Sequence, residues 1–266
     1  MHPLLNIAIR AARRAGEVIV RSLNRLESLT ITTKGRNDFV SEVDRNAEQE
    51  IIGIIRKHYP DHAVLAEESG RSGDNDSVWI IDPLDGTTNF LHGFPTFAVS
   101  IACQQKGRLE IAVVYDPMRQ EIFTATRGGG AHLENHRIRA SKQRTLEGAL
   151  VATGFPFRSN TGHLDEYMAM LKAATQSTAG VRRPGAAALD LAYVAAGRVD
   201  GFWEIGLSPW DTAAGSLLIQ EAGGRIGTLS GAEYQLGADV LAGTPKVYEA
   251  LLELFAPHLP EALRTA

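Results

Sequence analysis

The apolar positions Leu4, Leu5, Ala8, Ala11, Ala12, Ala15, Val18 and Ile19 recur at helical spacing, so the chain is expected to open with an amphipathic helix. Arg10, Arg13, Arg14 and Arg21 form its solvated side. Lys34-Gly35-Arg36-Asn37-Asp38 reads as a turn-rich connector, and Ser41-Glu42-Val43-Asp44 as a capping box opening a second helix. That helix turns Val43, Ala47, Ile51 and Ile54 or Ile55 inward and ends at His58-Tyr59-Pro60. The texture then becomes strand-like. Residues 64–66 and the apolar run 78–81 read as short buried strands, separated by a flexible excursion over 70–77, and Pro83 is expected to end the second. Strands follow at 97–102, 109–115, 121–126 and 132–139. Beyond residue 150, strands at 150–154, 201–206 and 240–243 alternate with helices at 164–174, 186–196, 209–221 and 247–255.

Composition narrows the setting. The 266 residues are enough for one large domain or two closely packed lobes, and 44% hydrophobic with 22% charged residues is ordinary for a globular protein. A net charge of −4 argues against a strong grip on nucleic acid over the whole surface and leaves direct nucleic-acid binding undecided. Cys103 is the single cysteine, which excludes an internal disulfide or a thiolate cluster. Residues 1–14 lack the apolar core and cleavage site of a signal peptide, and no apolar run is long enough to span a bilayer. A cytoplasmic protein with no membrane partner is the expectation.

Candidate chemistry concentrates just past the run 78–81. Asp82 and Asp85 stand three positions apart, followed by Gly86, Thr87, Thr88 and Asn89. Like charges at the mouth of a rigid strand repel unless a cation lies between them. Carboxylates with nearby carbonyl and hydroxyl oxygens form a hard ligand set, suited to Mg²⁺ rather than zinc, so a Mg²⁺ site for phosphate chemistry is expected. Glu67 and Glu68 end the preceding strand, and one strand–loop–strand excursion would bring Glu67 beside Asp82. Read alone, Asp44 and Asp211 are first-turn acids that compensate helix dipoles. Arg182-Arg183 before Pro184-Gly185 reads equally as an anion site or as the cap of a sheet edge. Gly128-Gly129-Gly130 reads as a hairpin turn, since no Gly-Lys-Ser/Thr follows, and His132 with His136 lacks the nearby acids of a zinc pair.

Glu67-Glu68-Ser69, the run Asp82-Pro83-Leu84-Asp85-Gly86-Thr87-Thr88-Asn89-Phe90 and Pro209-Trp210-Asp211-Thr212-Ala213-Ala214-Gly215 together resemble the inositol monophosphatase family. The segments Lys34 through Val40 and Ala187-Ala188-Leu189-Asp190-Leu191-Ala192-Tyr193 extend the resemblance along the chain, toward the bacterial inositol-1-monophosphatase branch. The resemblance implies an α+β fold, the layered αβαβα sandwich of the inositol monophosphatase / fructose-1,6-bisphosphatase-like type. An N-terminal lobe, 1–148, would carry most metal ligands, and a C-terminal lobe, 149–266, would complete the site in one compact unit.

The activity implied is lithium-sensitive, Mg²⁺-dependent hydrolysis of myo-inositol monophosphate to inositol and phosphate. By the family pattern, Glu67, Asp82, Asp85, Asp211 and the Leu84 carbonyl hold metal. Asp44, Glu67 and Thr87 are catalytic, with Thr87 paired to Asp44 to activate the attacking water. Leu84, Gly86, Thr87, Gly185, Ala186, Ala187, Glu204 and Asp211 border the substrate, and Lys34 corresponds to a charged residue near the metal. The implied partners are a small phosphorylated polyol, a second copy in a homodimer, and RNA polymerase with antitermination factors. Ala186 stands where the family usually has Ser or Thr, and Pro184 where the branch commonly has Thr, which removes a hydroxyl and a backbone N–H near the polyol. Fructose bisphosphate, histidinol phosphate and a 3′-phosphonucleotide remain alternative substrates, and a role mainly as a transcription-complex partner remains the alternative to catalysis.

Overall fold

The computed structural model describes residues 2–35, 38–155 and 161–264, without the side chains of 28, 33–40 and 161. The N-terminal half contains α1 (Pro3–Ser22), β1 (Ile31–Gly35), β2 (Asp38–Ser41), α2 (Glu42–His58), β3 (Ala63–Ala66), β4 (Gly70–Ser72) and β5 (Ser77–Asp85). It continues with α3 (Thr87–Leu91), β6 (Ala98–Gln105), β7 (Arg108–Asp116), β8 (Glu121–Thr126), β9 (Gly130–Leu133) and β10 (His136–Arg137). Then come β11 (Leu150–Thr153), α4 (Leu164–Ser177), β12 (Gly180–Arg182), α5 (Ala187–Ala195) and β13 (Gly201–Glu204). The chain closes with α6 (Pro209–Glu221), β14 (Arg225–Gly227), β15 (Val240–Gly243) and α7 (Pro245–Phe255).

Strand alternation explains how these elements stack. An eight-stranded sheet runs β10-β9-β8-β7-β6-β5-β3-β4, and a five-stranded sheet runs β12-β11-β13-β15-β14. On β5, Trp79 and Ile81 face one way, joined by Val99, Ile101, Ile111 and Val113 from β6 and β7, and pack on the apolar sides of α1 and α2. The opposite face, with Val78, Ile80, Ala102 and Val114, packs on α5 and α6, which also meet Ala152, Phe202, Val240 and Ala242 of the second sheet. That sheet's outer face, Val151, Trp203 and Leu241, is covered by α4 and α7. The result is the αβαβα layered sandwich, and its two inner helices are apolar around most of their girth, as a helix buried on both sides must be. Each fully buried side chain such as Ile81 or Phe202 contributes roughly 1.5–3 kcal/mol. Among the described residues no helix is long and apolar enough to cross a membrane.

Three expectations change. Pro83 does not end β5: the strand pairs Asp82 with Ser100 and resumes at Asp85 opposite Ala98, so Pro83 and Leu84 face the single residue Val99. That is a β-bulge, where a residue without an N–H costs the ladder nothing. The excursion over 70–77 contains β4, paired antiparallel to β3. Residues 132–139 are not one strand, because β9 turns back on β10 with His136 opposite Leu133. The expected connector at 34–38 is mostly strand: residues 34–35 end β1 and residue 38 opens its antiparallel partner β2, with residues 36–37 and the Lys34 side chain outside the described set.

Candidate active site

Parallel pairing of β3 with β5 sets the first half of the site. Ala66 lies beside Ile81, and the Glu67 N–H donates to the Ile81 carbonyl at 3.1 Å, so Glu67, just past the end of β3, stands beside Asp82 within β5. The bulge then turns the chain. The Leu84 N–H donates to Asp82 Oδ1 at 2.9 Å, and Asp85 ends the strand with its carboxylate in the same cleft. Gly86 follows at φ 91°, where an L side chain is strained, and a Cβ there would come within 3.0 Å of the Thr96 carbonyl.

The second half arrives from across the layers. Ser208 caps α6 with a proline at the first turn, and its N–H donates to Asp211 Oδ2 at 2.7 Å. Ser100 Oγ donates to the Trp210 carbonyl at 3.2 Å, tying the start of α6 to the first sheet. Asp82, Asp85 and Asp211 each present a carboxylate oxygen, and these lie within 4.8 Å of one another. Asp82 is 1% exposed, and burial holds its carboxyl well above the usual range, with Glu67, Asp85 and Asp211 adding repulsion in that order. Such a set is stabilised by a cation among the oxygens, and its all-oxygen chemistry fits a hard divalent ion.

Beside this cluster stands a hydroxyl–carboxylate pair. Asp44, fully buried on the first turn of α2, accepts from the Ser41 N–H at 2.8 Å and the Ser41 hydroxyl at 2.6 Å through Oδ2. Its Oδ1 lies 2.8 Å from Thr87 Oγ1, which also lies 3.0 Å from the Leu84 carbonyl. Burial raises the Asp44 pKa, opposed by the bonds from Ser41 and Thr87. Asp44 is therefore both the helix cap expected from its position and the partner of Thr87.

A cleft of about 410 Å³ joins these parts. Glu67, Asp82, Leu84, Asp85, Gly86 and Thr87 line it from the first sheet, and Gly185, Ala186, Ala187, Glu204 and Asp211 from the other side. Among the expected site residues whose side chains are described, Asp44 alone lies outside the lining, behind Thr87. The Ala188 N–H, in the first turn of α5, donates to Asp85 Oδ2 at 2.8 Å and locks the two sides together. Arg182 belongs to β12 and is exposed, whereas Arg183 lines the cleft with its guanidinium 5.2 Å from the centre of the Phe155 ring. The paired reading of the two arginines thus divides between a sheet edge and the cleft.

Sequence reasoning missed several residues here. Asn89 Nδ2 donates to the Thr96 carbonyl at 2.7 Å and the Pro184 carbonyl at 2.8 Å, fixing the segment that carries Gly185. The signal was its place in the Thr-Thr-Asn-Phe run, but its partners are remote in sequence. A Cβ on Gly154 would meet the Glu204 carboxylate, which occupies that space and would have to move aside. Asp190 on α5 is buried with Oδ1 unpartnered, and burial followed by repulsion from Glu204 and Asp85 pushes its pKa well up. No periodicity marks such a residue as different from its apolar neighbours.

The sequence model described as the inositol monophosphatase family matches residues 1–264. The chain is 56% identical to the Nus factor SuhB of Pseudomonas aeruginosa over 270 residues, covering 99% of this chain and 100% of that protein. It is 52% identical to the Nus factor SuhB of Escherichia coli K12 over 267 residues, with the same coverage. Among solved structures, the extragenic suppressor protein suhB of Bartonella henselae superposes with a TM-score of 0.92 at 41% identity, over 96% of this chain and 98% of that one. An IMPase of Thermotoga maritima superposes with a TM-score of 0.88 at 32% identity, over 97% and 98%. Sequence, fold and the acidic cleft agree: the chain belongs to the inositol monophosphatase family, a family of metal-dependent phosphatases.

Proposed function

We propose that the chain is a Mg²⁺-dependent phosphate monoester hydrolase acting on myo-inositol monophosphate, releasing inositol and phosphate. The observation that carries this reading is the convergence of Asp82, Asp85 and Asp211 within 4.8 Å beside the Thr87–Asp44 pair. Glu67, Asp82, Asp85, Asp211 and the Leu84 carbonyl would hold Mg²⁺. Bound there, the ion supplies Lewis-acid stabilisation of the phosphoryl oxygens and lowers the pKa of bound water.

The chain's own residues do the rest. Thr87 Oγ1, donating its proton toward Asp44 Oδ1, presents a lone pair to the attacking water and orients it. The water proton passes by way of Thr87 to the Asp44 carboxylate, and the water oxygen bonds to phosphorus as the bond from phosphorus to the ester oxygen breaks. The departing polyol oxygen takes a proton from solvent water, with Asp44 later returning its proton to solvent. Gly86 and Thr87 border the phosphate with backbone donors. Gly185, Ala186, Ala187 and Glu204 border the polyol, with Glu204 accepting from its hydroxyls. In this reading residues 1–148 contribute the water-orienting pair and most metal ligands, while residues 149–266 complete the metal site and select the alcohol. The expected setting is the cytoplasm, and the expected state a homodimer.

Phosphate release across a panel of myo-inositol monophosphate, fructose bisphosphate, histidinol phosphate and a 3′-phosphonucleotide, with and without Mg²⁺, tests the assignment. Inositol phosphate is expected to give the highest kcat/KM. Preference for a nucleotide would overturn the substrate. A second reading is favoured by the naming of relatives at 56% and 52% identity as Nus factors: the chain also serves RNA polymerase and antitermination factors as a protein partner. Asp85→Asn, expected to fold normally without hydrolysing substrate, separates the two. Full growth rescue of a deletion strain by this variant assigns the cellular role to partner binding.

A further inference from the structure

Helix α2 carries a second buried acid one turn after Asp44. Glu48 is 4% exposed, and its carboxylate faces the loop after β3: Oε2 accepts the Glu68 N–H at 2.8 Å, and Oε1 accepts the Ser69 N–H at 3.0 Å. Residues i and i+4 share one helix face, so α2 presents two carboxylates to two different parts of the site. Asp44 grips Thr87, and Glu48 grips the backbone immediately after Glu67. The other side of Glu67 is tied as well, through its own N–H to Ile81. Glu67 therefore sits between a strand-end bond and a two-pronged carboxylate clamp, with little freedom left to its main chain.

We infer that Glu48 is a positioning residue for the metal site: by accepting both N–H groups it fixes the Glu67 loop against α2, so that the Glu67 carboxylate is held facing Asp82. The inference rests on the proposed role of Glu67 as a metal ligand. A carboxylate suits this task better than an amide. Both of its oxygens accept, whereas a glutamine in the same pose would turn an NH₂ group toward one of the two donors and force that N–H away. Charge-assisted bonds from backbone N–H groups are also about twice as strong as neutral ones. Through the loop, the same helix sets the spacing between the group that orients water and the group that binds metal.

Binding of Mn²⁺, followed by electron paramagnetic resonance on the purified full-length protein, tests this without relying on turnover. Glu48→Gln is expected to weaken Mn²⁺ binding by roughly 10–100-fold, the usual effect of removing a group that orients a metal ligand. Raising Mg²⁺ should restore kcat, with KM for the phosphate ester at saturating Mg²⁺ unchanged, a rescue that a purely structural role would not give. Glu48→Asp keeps the charge but shortens the reach, and is expected to shift Mn²⁺ binding in the same direction; it decides the matter if Glu48→Gln fails to fold. Mn²⁺ affinity within twofold of wild type in a folded Glu48 variant, while Glu67→Gln loses the ion, would overturn the inference and leave the site assignment standing. Wild-type Mn²⁺ affinity in Glu67→Gln would overturn the ligand role of Glu67 and the inference with it. Loss of fold in both Glu48 variants would assign Glu48 a structural role instead.

Discussion

Helices α2 and α6 begin with the same device and put it to different uses. Each opens on a serine followed three residues later by an aspartate, Ser41 with Asp44 and Ser208 with Asp211, and in each the aspartate accepts the N–H of its serine. Asp44 spends its other oxygen on the Thr87 hydroxyl and is wholly buried. Asp211 lies at the cleft and joins Asp82 and Asp85 within 4.8 Å. A capping carboxylate has more acceptor capacity than the cap requires. What surrounds the remaining capacity differs, a hydroxyl for Asp44 and two further carboxylates for Asp211, and on the proposed function this separates a proton-handling residue from a cation-binding one.

Replacing each acid in turn should break the pair apart most visibly. In Asp211→Asn, Mn²⁺ or Mg²⁺ binding measured directly should weaken strongly, and turnover should fall by about 10³-fold or more, the scale of several kcal/mol of lost metal-borne stabilisation. In Asp44→Asn, turnover should fall by about 10²–10⁴-fold, as expected on losing a general base, while metal binding stays near wild type. Equal loss of metal binding in both variants would erase the distinction.

The caps themselves give a smaller contrast, read by urea denaturation. Ser41→Ala should cost about 1 kcal/mol, because Ser41 Oγ accepts the Val43 N–H at 3.1 Å as well as donating to Asp44. It should also reduce turnover, since Asp44 loses a partner that holds its orientation. Ser208→Ala retains the backbone bond to Asp211 and should leave turnover close to wild type.

A carboxylate outside both caps sets the baseline. Glu121 pairs with Arg198 at the surface, with Nη1 to Oε2 at 2.6 Å, and the side-chain bond to Arg198 holds its pKa below 4.5. A folded-state pKa below the unfolded one means fewer protons bound in the native state, so the contribution is complete well above the ordinary glutamate range and is lost as pH falls through the lowered value. Solvent screening limits it to about 1 kcal/mol at most. Glu121→Gln should therefore reduce stability slightly at pH 7, and the difference from wild type should vanish in acid, with turnover unchanged.

Much of this was legible in the chain. Helical spacing located α1 and α2, the capping box announced the start of α2, and the apolar run found β5. The bulge at Pro83-Leu84 was hidden because a proline ends a strand or sits in a bulge according to its neighbours, and Val99 on β6 is the neighbour that decided. The roles of Asn89 and Gly154 were not foreseen because they depend on Pro184 and Glu204, far away in sequence. Nothing along the chain sets Glu48 apart from the other acids of α2, because its partners are the Glu68 and Ser69 N–H groups beyond β3.

The sequence by itself located most of the helices and the longer strands, and determined the hard-oxygen character of the run from Asp82 to Asn89 and the family. Periodicity, capping and ligand chemistry are properties of neighbouring residues, so they survive in one dimension. The resemblance implied that Asp211 joins Asp82 and Asp85 and that Asp44 pairs with Thr87; the tertiary structure supplied the contacts that make these groupings and added the unforeseen grip of Glu48 on the Glu67 loop. Those pairings follow from the parallel register of β3 with β5 and from α6 lying between the two sheets. A carboxylate's chemistry belongs to the residue, but its task is set by the charges and donors that packing brings within a few ångströms.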